Sequence, residues 1–242
     1  MSCLFSLGDA DIFLEDVVSV RPGKWLTDSV ITFWFEWLKA NGNAGKPLPP
    51  RVSLVSPATL FFVLHFEDQT EIAASLAPLH LTTSSLIMLP VNNSTSLMTP
   101  GAGSHWSLLF FEREGSAGSF WHLDSSGQAN VDVAQRLAAK IAPFLGLSAC
   151  PAVHPMACAQ QRNGFDCGVF VCAWAEWLAA RYGQALALVA AGQEEARAWL
   201  PERALLEVTQ ADVAHLRIRM GQVIAALGAA RQQRAPRTPT SG

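Results

Sequence analysis

The stretch Cys158–Gly168, CAQQRNGFDCG, decides what the rest of this chain must supply. A polar loop ends there on a cysteine–glycine pair. Directly after it runs an apolar segment, Gly168 to Arg181, with Val169, Cys172, Trp174 and Leu178 at helical spacing. A cysteine at a helix start lies at the positive end of the helix dipole, which favours a thiolate; a histidinium partner is the second device that does so. Gly168 removes a side chain where a substrate backbone must come close. Gln161 stands six residues ahead of Cys167 and can fold back to donate a hydrogen bond to a developing oxyanion, with the Cys167 N–H as second donor. Gln160 offers the same group one residue earlier. Free cysteine is among the most buried residue types, so position alone does not make Cys167 a nucleophile.

The partners it needs stand upstream. His105–Glu112 (HWSLLFFE) and Ser119–Asp124 (SFWHLD) read as strands separated by a Gly/Ser turn, hence an antiparallel hairpin. His105 and Asp124 then share its open end. A carboxylate there holds one imidazole nitrogen and fixes the tautomer, so that the other nitrogen faces the thiol.

Leu86 to Val91 is a third strand candidate. Trp25 to Lys39 reads as a buried helix with Thr27 or Asp28 as cap, Ser56 to His65 as a helix entered through Ser-Pro, Val131 to Leu145 as another, and Leu205 to Leu227 as the last. Helices around a small central mixed sheet make an α+β architecture. The loop Asn41–Pro50 is too short to separate domains, so one catalytic domain is expected over residues 1–230, with 231–242 as a disordered tail.

Half of the 242 residues are hydrophobic and only 15% are charged, with net charge −3, which argues against a nucleic-acid-binding surface. Leu4 to Leu7 runs straight into Asp9 and Asp11, unlike a signal peptide, and no apolar run is long enough to span a membrane. The five cysteines form no CxxC pair and no zinc-ligand spacing, so neither metal nor cofactor is expected, and free thiols suit a reduced intracellular setting, cytoplasmic or nuclear.

Taken in order, Trp25-Leu26-x-Asp28, His105-Trp106, Asp124-Ser125 and Gln161-x-Asn163-Gly164-Phe165-Asp166-Cys167-Gly168 resemble the sentrin-specific protease family, adenain-like cysteine proteases that cleave ubiquitin-like modifiers. The compact length and segments such as Gly103–Leu109 are most similar to its small deneddylating branch. The resemblance implies Cys167 as nucleophile, His105 as general base, Asp124 as its orienter and Gln161 as oxyanion donor. It implies Trp25 and Trp106 as the roof of a channel that admits a diglycine tail, and Asp28 as a contact to the modifier. The implied partner is a Nedd-type modifier with conjugates such as cullins, acted on by a monomer. A SUMO protease with the same chemistry is the alternative, followed by an acyltransferase of related fold. Thr27 stands where the family often has Asn, and Phe165 where it often has Tyr.

Overall fold

The computed structural model describes residues 2–42, 45, 47–94, 103–148, 152–197, 199 and 207–234. The chain begins with a two-stranded ribbon, β1 (Phe5–Leu7) against β2 (Ala10–Ile12), and a short helix α1 (Leu14–Ser19). Helix α2 (Asp28–Asn41) follows. Its apolar residues are buried on most of its circumference, including Val30, Ile31, Phe33, Trp34, Phe35 and Leu38, because sheet, ribbon and other helices enclose it. Thr27 is its cap: Oγ1 accepts from the Val30 N–H at 3.3 Å and donates to the buried Asp16 carboxylate at 2.5 Å.

The central sheet has five strands in the order β3 (Val52–Leu54), β4 (Leu86–Asn92), β5 (Trp106–Glu114), β6 (Ala117–Leu123) and β7 (Val153–Pro155). The three middle strands are antiparallel, and the two outer ones are parallel to their neighbours, so the sheet is mixed as expected. Both faces are covered, which explains why β4 and β5 are apolar almost throughout rather than alternating. On one face Met88, Leu108, Phe110 and Leu123 pack with α2, with α6 (Cys167–Ala190) and with α7 (Gln210–Arg234). On the other, Ile87, Leu89, Leu109, Phe111 and Phe120 meet α3 (Pro57–His65), α4 (Gln69–Leu76) and α5 (Val131–Ile141).

Several elements depart from their sequence-based bounds. α2 begins at Asp28 rather than Trp25 because Thr27 takes the cap, and α5 stops at Ile141, before Pro143. α6 runs on to Ala190, well beyond Arg181. α4 and the three-residue strands β3 and β7 carry too little periodicity to be read from sequence. α7 begins at Gln210, where Thr209 and Asp212 bond reciprocally. It continues to Arg234, four residues into the stretch expected as a tail; residues 235–242 lie outside the described ones. Among the described residues no helix is long and apolar enough to cross a membrane.

Leu109 is fully buried between β4 and β6. Leu109→Ala should therefore cost about 2–5 kcal/mol, read as a lower urea midpoint at an unchanged slope.

Candidate active site

The β5–β6 hairpin sets the site. Leu108 pairs with Leu123, and the register continues to Glu114 opposite Ala117. His105 and Asp124 each lie one residue outside their strands, at the same open end. There His105 Nε2 and Asp124 Oδ1 are 2.6 Å apart. Asp124 has two further partners: Oδ1 also accepts from the Ser126 N–H at 2.8 Å, and Oδ2 from the Asn130 N–H at 2.9 Å. Asn130 is fully buried, and its Nδ2 donates to the carbonyls of His105 and Val91, both at 3.2 Å. One residue thereby fixes both members of the pair, through its backbone to the aspartate and through its side chain to the histidine.

Cys167 opens α6, and its thiol approaches the imidazole of His105. With Nε2 engaged by Asp124, Nδ1 is the nitrogen left for sulfur. Burial works against a charged imidazole here, but hydrogen bonds and charge from Asp124 and Cys167 outweigh it and push His105 up from 6.5 to about 9. Burial likewise opposes ionisation of Asp124, yet bonds from His105, Asn130 and Ser126 and the imidazolium charge hold its carboxyl below the usual carboxylate range. A charged imidazole facing a thiol is the arrangement in which cysteine acts as a nucleophile. The other described thiols differ: burial pushes Cys158 up to about 11 and Cys172 well above the ordinary value, and Cys3 is exposed at the ribbon. Among the described residues no cluster of His, Cys, Asp or Glu could hold a metal ion.

The two glutamines separate by their partners. Gln160 Nε2 donates to the carbonyls of Asp124 at 3.0 Å and Cys158 at 3.3 Å, while its Oε1 accepts from the Gly127 N–H at 2.8 Å. Both its amide hydrogens are thus spent, one on the segment after β6 and one within its own loop. Gln161 accepts from Ser125 Oγ at 2.8 Å and gives one hydrogen to the Asn163 carbonyl at 2.6 Å; a carboxamide nitrogen carries a second.

Trp25 is 52% exposed and Trp106 only 5%, so the two tryptophans are not equivalent. Both flank the segment around Cys167: Trp25 Nε1 donates to the Gly164 carbonyl at 2.5 Å, and Trp106 packs beside Gly168. Gly168 itself needs correction. A Cβ there would lie 3.1 Å from Leu26 Cβ, 3.4 Å from Trp106 Cδ1 and 3.5 Å from Ile31 Cδ1. The glycine serves close approach of α6 to the protein's own core, not open space for a substrate. Asp28 is exposed at the first turn of α2, three residues beyond Trp25 and outside the hydrogen bonds that join His105 and Asp124.

Sequence reasoning missed the surroundings of Asp166. Its Oδ1 meets Arg217 Nε at 3.0 Å and Nη2 at 2.9 Å, and its Oδ2 accepts from Asn163 Nδ2 and Gln210 Nε2, both at 2.8 Å. Arg217, on α7, lies in His215–Arg219 (HLRIR) with another arginine and a histidine, and its burial has no local sequence signal. His122 was likewise read only as a strand residue. It bonds Ser107 Oγ at 2.9 Å, and burial pushes it down from 6.5 to about 4.

The two histidines bias stability oppositely. Between pH 6.5 and 9 the native His105 keeps a proton that the unfolded chain releases, so its stabilisation, full below 6.5, is lost as pH rises through 9. Between 6.5 and 4 the unfolded chain protonates His122 and the native state does not, so stability falls as pH drops. Urea midpoints should peak near pH 6.5. His105→Gln should flatten the alkaline limb and His122→Gln the acid one.

Residues 24–186 match the model of the Ulp1 protease family, C-terminal catalytic domain. A probable sentrin-specific protease 8 from Dictyostelium discoideum is 34% identical over 69% of this chain and 71% of its own length. NEDD8-specific protease 1 from Arabidopsis thaliana is 31% identical over 72% of this chain and 76% of its own. In structure, the C-terminal Ulp1 protease domain in complex with Smt3, the yeast ortholog of SUMO, superposes with a TM-score of 0.63. It covers 93% of this chain and 87% of that one at 16% identity, a likeness of fold.

Proposed function

The chain belongs to the Ulp1 protease family, and from that premise we infer that it is a thiol protease cleaving after the C-terminal diglycine of a Nedd-type modifier. The observation that carries the reading is the 2.6 Å bond between His105 and Asp124 beside a thiol at a helix start. Cys167 attacks the glycyl carbonyl, and His105 hands its proton to the leaving amine. Water, deprotonated by His105, then hydrolyses the thioester. The oxyanion is met by the Cys167 N–H and by the uncommitted hydrogen of Gln161 rather than by Gln160, whose donors are occupied.

The exposed ring of Trp25, tied to the Gly164 carbonyl, and the edge of Trp106 line the approach to the nucleophile loop. A flat aromatic clamp admits two glycines and rejects a larger side chain. Asp28, exposed on the same stretch, is suited to a basic residue of the tail. The Nedd-type choice is supported by the relatives named for NEDD8 and for sentrin-specific protease 8. That choice brings with it precursor processing and release from conjugates such as cullins; action as a monomer in the cytoplasm or nucleus is part of the same proposal, the compartment resting on the free thiols.

A panel of C-terminally activated modifier probes tests it. The Nedd-type probe should label Cys167 fastest, and preferential labelling by the SUMO probe would overturn the modifier assignment. Cys167→Ala should lose all turnover while still binding the modifier in pull-down. Gln161→Ala should lower kcat about a hundredfold or more, whereas Gln160→Ala should act chiefly on stability, through the loop after β6.

A further inference from the structure

Aspartate is among the residues favoured at a helix N-cap, because its carboxylate accepts the unpaired N–H groups of the first turn. Asp166 is the residue before α6, and its side chain makes no such bond. The carboxylate turns the other way, to Arg217. The guanidinium spends Nε and Nη2 on Asp166, Nη2 also on the Phe165 carbonyl at 3.1 Å, and Nη1 on the carbonyls of Ser19 at 3.1 Å and Arg21 at 3.2 Å. Both residues are only 5% exposed, and the Arg217 guanidinium lies 5.7 Å from the Phe165 ring centre.

The Cys167 N–H, at the start of α6, is one that the developing oxyanion would use. A carboxylate free to swing back as a helix cap would take the Gly168 or Val169 N–H and place a negative charge beside that developing negative charge. We propose that Arg217 is a positioning residue of the protease: it holds Asp166 away from the first turn of α6 and neutralises its charge, so that no second negative charge stands beside the developing oxyanion. The same fork clamps the nucleophile loop to the Ser19–Arg21 turn that leads into Trp25. Asn163 and Gln210 hold the second carboxylate oxygen but supply no charge. The inference rests on the protease reading and adds to it a residue outside the segment matched to the family model.

Arg217→Gln and Arg217→Lys of the full chain test it. Removing one member of a buried pair strands the other, so cooperative unfolding is checked first. Two rates are then compared: hydrolysis of a modifier–aminomethylcoumarin reporter, which passes through an oxyanion, and alkylation of Cys167 by iodoacetamide, which forms none. In Arg217→Gln, kcat should fall about tenfold or more, with KM and the alkylation rate within about twofold of the parent. Arg217→Lys, which keeps the charge but not the fork, should lose less. A folded Gln variant with parental kcat overturns the inference, as does alkylation falling in parallel with kcat, which marks a general loosening of the triad. If the Gln variant does not fold, the Lys variant decides by the same two rates, and failure of both to fold also overturns it. A wild type inactive on the Nedd-type reporter but active on a SUMO reporter overturns only the modifier assignment, and the variants are then compared on SUMO. Inactivity on both overturns the protease reading and this inference together.

Discussion

The pairing register of β5 and β6 governs everything at the site. Side chains alternate faces along a strand, so a slip of one residue would exchange the core-facing set of β5 for its opposite. It would also carry Asp124 away from His105. Two apolar faces resist that slip: Leu108 and Phe110 on one side, Leu109 and Phe111 on the other, are all fully buried. Hydrophobic packing of the whole sheet thus holds a single 2.6 Å contact at its end. The loop after β6 then closes on the same aspartate through Ser126 and Asn130, so that the start of α5 is fastened to the base pair as well.

Polar groups here are assigned by what they are prevented from doing. His122 is only fifteen residues in sequence from Ser107, bonds it, and stays neutral in a buried setting, while His105 on the same hairpin is held charged. The difference is a carboxylate within reach of one and not bonded to the other. Gln160 and Gln161 are adjacent and chemically identical, yet one is consumed in bracing the loop. Cys158 lies close enough to donate to the Asp124 carbonyl at 3.3 Å, but burial keeps it a thiol.

The grouping of His105, Asp124 and Cys167 was legible because each sits at a boundary that sequence marks: His105 before an apolar run, Asp124 after one, Cys167 before a helix. The sheet was legible only in its three long strands, since three residues of β3 or β7 show no period. Gly168 was misjudged because a glycine at a nucleophile suits both an open channel and a tight core contact, and only Leu26, Ile31 and Trp106 in three dimensions tell them apart. Arg217 was illegible for a different reason. Its partners lie 51 to 198 residues away, and His215 and Arg219 beside it make the stretch read as a solvated face.

That long reach has a consequence for how the protein comes into being. On the ribosome, the nucleophile loop leaves the exit tunnel before α7 has been made, and the Ser19–Arg21 turn leaves far earlier. The nascent chain holds its histidine, aspartate and cysteine while the guanidinium that ties the loop before Cys167 to the amino-terminal turn is still unsynthesised. A protease assembled in this order stays unfinished until α7 has followed the loop out.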